Sequence, residues 1–226
     1  MCPKLLSMRA FLQKFTFLRF LALYRNTNGA LGQLGWKKVS MGRLLVSGDD
    51  AKPWLVYGAT DFLEHTISPK ARILELGGGG STLFWLNRGN QVVTIENNSE
   101  WFGRMNEVVG TNPNWKPYLV EEISVTSLED LNLGKFDVVV NDFIGDRSKL
   151  SKWIENSLSP GGFIVWDNSD RASETVALDN LKKSGFGHID FFGLSPINSF
   201  ALQTTVLSKS LAAPNWKISR KKAVTY

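Results

Sequence analysis

Residues 71–85, ARILELGGGGSTLFW, constrain this chain more than any other stretch. The apolar run 72–76 reads as a buried strand, glycines fill 77–80, and a helix begins at 81. That order describes a cofactor site of the nucleotide type, in an α/β sheet protein. Glycines at 77–80 lack Cβ atoms, so backbone can approach a ligand closely and adopt φ > 0. Ser81 and Thr82 bring hydroxyls to the helix N-terminus, where N–H groups are unpaired. Glu75 narrows the ligand further. A carboxylate beside the loop repels a pyrophosphate, but accepts hydrogen bonds from an ammonium or, through water, from a hydroxyl.

The rest of the chain alternates in the same manner. Strands are expected at 72–76, 91–96, 117–121 (weakly), 136–141 and 162–167, with helices at 81–88, 99–109, 148–157 and 171–184. Continuous apolar strands separated by helices imply a parallel sheet covered on both faces. The last two strands, 187–192 and 201–208, lie too close in sequence for a helical crossover, so the final strand is expected to run antiparallel. A helix is expected over 52–67, with Pro53 suited to its first turn. Residues 26–52 show no sustained periodicity and read as a connector or lid with little structure of its own.

Composition divides the chain. Residues 1–48 hold eight Lys/Arg and residues 209–226 hold five, with no Asp or Glu in either segment. The remaining body carries all 21 acids against 13 bases, so the basic pI belongs to the tails and a nucleic-acid partner is disfavoured. We divide the chain into a basic extension and connector (1–52), a catalytic domain (53–208) and a basic tail (209–226). The single cysteine, Cys2, excludes a disulfide framework. Charges interrupt the apolar runs of residues 1–25, which are too short to span a bilayer. That segment reads as a helix packed on the body, a helix lying on an anionic membrane surface, or a transit peptide. Cytoplasmic placement is expected, with peripheral membrane contact as the variant of it.

Glu96 ends the second strand about 20 residues past the loop, where an acid can bind both ribose hydroxyls. A nicotinamide cofactor is the rival reading, but its G-x-G-x-x-G pattern would place glycine at Thr82, and Glu75 opposes it. S-adenosylmethionine is therefore the expected cofactor. On ELGGGG (75–80), TIE (94–96) and the strand layout, residues 54–208 resemble the class I S-adenosylmethionine-dependent methyltransferases. The resemblance implies a Rossmann-like, seven-stranded, mostly parallel sheet with an antiparallel last strand. It implies that Glu75, Gly77 and Gly79 line the methionine end and that Glu96 holds the ribose. Gly78, Ser81, Thr82 and Asp142 complete the expected cofactor set. The acidic-small pair that contacts adenine would fall within EEISVTS (121–127), where it is unassigned.

Two acidic motifs, NDFIGDR (141–147) and WDNSDR (166–171), fall where strands four and five should open onto the crevice. Asp142, Asp167 and Asn168 are hard ligands suited to Mg²⁺. The set resembles that of the metal-dependent catechol-type O-methyltransferases, in which the metal lowers the pKa of an acceptor hydroxyl. That group has a Lys base where this chain has Gly145; Lys149 or Asp146 is the nearest substitute. Without metal, such acids cap helices or face the cofactor, and Asp142 becomes the best general base. Asp142 and Asp167 are thus the expected catalytic residues. His65 and His188, the only histidines, read as packed or surface residues more readily than as catalysts. Trp54 and Tyr57 precede the loop and are candidates for closing the site. Together these readings give methyl transfer to oxygen on a small-molecule, sugar or lipid-linked acceptor. A non-catalytic cofactor-binding scaffold and an NAD-type oxidoreductase are the alternatives.

Overall fold

Seven strands form one sheet in the order β3-β2-β1-β4-β5-β7-β6. The protein is described from a computed structural model over residues 16–25, 30–40 and 51–211. The strands are β1 (Arg72–Leu76), β2 (Gln91–Glu96), β3 (Trp115–Leu119), β4 (Phe136–Asn141), β5 (Leu158–Asp167), β6 (Gly187–Gly193) and β7 (Leu202–Ser208). The first five pair in parallel, and β7 runs antiparallel to both β5 and β6. This is the expected mostly parallel sheet with its antiparallel last strand.

Helices follow the strands. Ahead of the sheet come α1 (Thr16–Arg25), α2 (Ala30–Gln33), α3 (Trp36–Ser40) and α4 (Tyr57–Thr66). Between strands lie α5 (Gly80–Asn87), α6 (Ser99–Val109), α7 (Val125–Asp130), α8 (Ser151–Ser157) and α9 (Thr175–Lys183). The period-2 alternation of side chains gives the sheet two apolar faces. Leu74, Leu76, Val139, Ile164 and Trp166 pack with Ile154 of α8 and Leu178 and Leu181 of α9. Ile73, Val138, Val140 and Val165 pack on the other side with Leu63 of α4, Phe84 and Trp85 of α5, and Met105 of α6. Both faces are covered, which is why the strands read as continuous apolar runs.

Several boundaries differ from expectation for local reasons. Helix α4 starts at Tyr57, because Val56 N–H donates to Thr204 Oγ1 (3.1 Å) and Tyr57 N–H to the Leu194 carbonyl (3.1 Å). Those bonds tie the segment after Pro53 to the β6–β7 end instead of to a helical turn. Strand β3 is shifted to Trp115, whose indole is buried against β2 and donates to Thr94 Oγ1 (3.0 Å). Strand β5 begins at Leu158, pairing with Phe136 before an irregularity restores the register at Val138↔Phe163. Helix α7 was not expected. Ser124 caps it by accepting from Ser127 N–H (3.3 Å), a local bond that short-range hydrophobic periodicity does not report. The expected helix over 148–157 splits into a 3₁₀ turn at Ser148–Leu150 and α8, and that over 171–184 into a turn at Ala172–Glu174 and α9. Residues 26–52 hold more structure than expected, since α2 and α3 lie within them. Expectations for residues 1–15 and for the tail beyond 211 fall outside the described residues.

Candidate active site

Strand order reverses between β1 and β4: β2 and β3 lie on one side, β5 and the last two strands on the other. Chain leaving the C-terminal ends of β1 and β4 therefore diverges and opens a crevice. A cavity of about 760 Å³ lies there. Four strand ends supply its wall: Gly77 and Gly78 after β1, Glu96 at the end of β2, Asp142 after β4, and Asp167 with Asn168 at the end of β5.

The glycine loop is clamped from both sides. Gly77 N–H donates to Ile95 O (2.8 Å), and Asp142 N–H donates to Leu76 O (2.9 Å). Gly77 has φ +88°, and a Cβ built on it would lie 2.4 Å from the carbonyl oxygen of Asp142. Only glycine meets both conditions. Glu96 is fixed by three backbone amides: Gly78 N–H donates to Oε2 (3.1 Å), and Asn97 and Asn98 N–H donate to Oε1 (2.9 and 2.8 Å). Its carboxylate is thus held at the cavity wall beside the loop. Trp101 Nε1 donates to Gly78 O (2.7 Å), and its ring packs 5.5 Å from that of Trp54. Both indoles line the cavity.

Glu75 lies behind the wall. It is fully buried, and its Oε2 accepts from Thr82 Oγ1 (2.5 Å) and Thr94 Oγ1 (3.1 Å), while Oε1 has no hydrogen-bond partner. Gly79 N–H donates back to Thr82 Oγ1 (3.1 Å), so the acid, the hydroxyls and the loop form one network. Burial pushes the Glu75 carboxyl up to about 7, against the lowering effect of its hydroxyl donors. The neighbouring Ser81 hydroxyl adds to that lowering. The structure thus divides the expected cofactor set: Gly77, Gly78, Glu96 and Asp142 stand on the wall, whereas Glu75, Gly79, Ser81 and Thr82 do not.

On the opposite wall, Arg147 organises the acids. Its guanidinium is 3% exposed. Nε donates to Phe143 O (2.7 Å), Nη1 to Asp167 O (2.9 Å) and Asn141 O (3.3 Å), and Nη2 to Asp142 Oδ1 (3.1 Å). One side chain therefore ties the chain after β4 to the end of β5. Asp167 Oδ1 accepts from Thr204 Oγ1 on β7 (2.6 Å). Burial, and then the nearby Asp142 charge, push the Asp167 carboxyl up to about 7. Asp142 is also raised by burial, opposed by Arg147. Asn168 follows with φ +51°, a left-handed turn that ends the strand at the cavity.

Other expected residues lie elsewhere. Lys149 and Asp146 form an exposed ion pair (3.4 Å) on a second cavity of about 320 Å³ and do not line the first. Gly145 lines that second cavity too, and a Cβ on it would meet the Phe143 ring at 2.6 Å. His65 is exposed on α4, bonded to Asp61 O (2.8 Å), and His188 lies on edge strand β6; neither lines the first cavity. Trp54 reaches the wall, whereas Tyr57 does not and keeps its hydroxyl unpartnered. Among the described residues, no three His, Cys, Asp or Glu side chains are grouped to hold a metal ion. Sequence reasoning missed Trp101, Asn98 and, near the start of β7, Ile197, Asn198, Phe200, Ala201 and Leu202, all on the wall. For Asn98 the signal was present: an Asn just before a helix is a cap, and it accepts from Trp101 N–H (2.8 Å).

No family profile matches the sequence, and neither does any curated protein. Solved structures do match. An O-methyltransferase from Bacillus cereus in complex with SAH superposes with a TM-score of 0.55 at 16% identity, covering 87% of this chain and 99% of that one. Precorrin-6y C5,15-methyltransferase from Geobacter metallireducens matches with a TM-score of 0.53 at 16% identity, covering 74% and 99%. The O-methyltransferase TomG from Streptomyces achromogenes, in complex with SAM, matches at 0.50 and 17% identity, covering 77% and 88%. The chain has the fold of the class I S-adenosylmethionine-dependent methyltransferases.

Proposed function

We propose that this protein transfers a methyl group from S-adenosylmethionine to an oxygen of a small-molecule acceptor. One observation carries the reading. The amide-fixed Glu96 and the glycine loop share a single cavity with the Asp142–Arg147–Asp167 cluster. In this reading Glu96 accepts from ribose hydroxyls, and Gly77 and Gly78, whose Cβ positions are taken up by Asp142 and Thr94, bring bare backbone to the cavity wall. The second cavity, which shares Phe143 and Ile144 with the first and adds Ile123 and Ser124, suits the adenine end. That assignment draws on EEISVTS, where the adenine contact was expected.

When bound, the cofactor supplies an electrophilic methyl group on a sulfonium. The protein's share is then to position the acceptor and take its proton. Asp167 is the better base, because a carboxyl raised to about 7 is both available and basic near neutral pH. Asp142, paired with Arg147, orients the acceptor. The expected Mg²⁺ set fits poorly as arranged. Arg147 already binds Asp142 Oδ1, and Thr204 binds Asp167 Oδ1, so a divalent ion would face a fixed positive charge with two donor oxygens engaged. We therefore read the acids as acting without metal, and EDTA should leave turnover unchanged.

Calorimetric titration with S-adenosylhomocysteine tests the cofactor. Wild type should bind, and Glu96→Ala should bind at least about tenfold more weakly, the order expected for lost hydrogen bonds to a charged group. Undiminished binding by Glu96→Ala, or no binding by wild type, overturns the reading. Binding of NADH instead would favour the oxidoreductase, and binding without turnover on any acceptor would favour the scaffold.

A further inference from the structure

Helix α1, TFLRFLALYR, carries an apolar stripe that the described chain does not cover. Phe17 is 70% exposed and Phe20 63%, with Leu23 and Tyr24 also exposed. At positions i, i+3, i+6 and i+7, these four side chains lie on one side of the helix. A solvated helix has no reason to place two phenylalanines, a leucine and a tyrosine there.

The helix is moored at the mouth of the large cavity. Lys37 Nζ of α3 lies 4.5 Å from the Tyr24 ring centroid, which joins α1 to α3. Trp36 Nε1 of α3 donates to Asn198 O (2.8 Å). Asn198 lines the cavity, as do its neighbours Ile197 and Phe200, and Phe200 is itself 65% exposed. On the rim formed by the chain after β4, Ile144 is 85% exposed. Exposed apolar side chains thus occur both on the moored helix and around the opening it is tied to.

Charge selects the occupant. Residues 1–48 hold eight Lys/Arg and no acid, whereas the catalytic body is net acidic. A basic, acid-free segment with an aromatic stripe complements an anionic lipid surface, where apolar side chains enter the headgroup–acyl boundary and bases meet lipid phosphates. Pairing α1 with α1 of a second copy would bring two basic, acid-free segments together, which like charge opposes. We propose that α1 docks on anionic membrane and holds the cavity mouth toward lipid. This inference does not depend on the methyl-transfer reading.

Vesicle flotation of the full chain tests it. The chain should float with phosphatidylcholine vesicles containing phosphatidylserine, far less with phosphatidylcholine alone, and less at high salt. The double substitution Phe17→Asp, Phe20→Asp should lower partitioning by about tenfold or more, because charged residues replace most of the inserted stripe. The milder Phe17→Ser, Phe20→Ser should act in the same direction. Both variants should keep the wild-type circular dichroism and wild-type binding of S-adenosylhomocysteine, which separates loss of docking from loss of the cofactor site. Three results would overturn the proposal: no binding to anionic vesicles, binding unaffected by either double variant, or a wild-type dimer in light scattering that the same substitutions dissolve.

Discussion

Asp167 and Asp142 sit on adjacent strand ends and differ through their partners. Arg147 holds Asp142 in an ion pair, while Asp167 has a hydroxyl donor and a carboxyl raised to about 7. A base must be ionised to accept a proton, so turnover should rise with pH and level off above about 7. Asp167→Asn keeps an oxygen that can accept from Thr204 yet cannot take the proton. It should lower kcat by about 10²–10⁴-fold and abolish that limb of the pH profile, with S-adenosylhomocysteine binding retained. An unchanged profile would remove Asp167 from the base role. The sequence pointed to these acids through their places after apolar strands. It could not rank them, because the ranking depends on Arg147, which reaches four partners lying up to 20 positions from it in the sequence.

At the scale of elements, the site is an intersection of strand ends, and its tolerance is set by how closely they approach. Gly77 lies against the backbone of Asp142 with φ +88°, so loop and β4 cannot move apart independently. Gly77→Ala combines a left-handed conformation with a clash against a carbonyl, and should destabilise the fold by about 2 kcal/mol or more. Thermal denaturation checks this, and a drop of several degrees in Tm is the expected result for a domain of this size. Strands β1, β2 and β4 were legible to within a residue because burial on both faces leaves largely apolar runs. Helix α7 and the early start of β5 were not, since a serine cap and an irregular pairing leave no periodic trace. The wall residues near the start of β7 were illegible for a related reason. They lie in the connection from edge strand β6 into the antiparallel β7, and only the three-dimensional order β5-β7-β6 brings that connection over the crevice.

For the whole molecule, the consequence lies in protons. Between the ordinary value of 4.5 and its folded value of about 7, Glu75 binds more protons in the folded state than in the unfolded. The free energy of unfolding should therefore fall as pH rises through that window and stay lowered above it, by at most about 3 kcal/mol from this group. Glu75→Gln, which retains an acceptor for Thr82 and Thr94, should reduce that slope in denaturation curves recorded across the window, leaving the part that Asp167 contributes. The orphaned Oε1 gives the same carboxyl a second meaning. Near neutral pH that carboxyl is only partly ionised, behind the loop, in a place where a cationic ligand in the cavity would favour the ionised form. Occupation of the cavity by S-adenosylmethionine would then expel the remaining proton, so the protein trades part of one positive charge for another. Titrations in buffers of different ionisation enthalpy should register a release of up to about half a proton per ligand from this group near pH 7, and Glu75→Gln should lower the total release by that share.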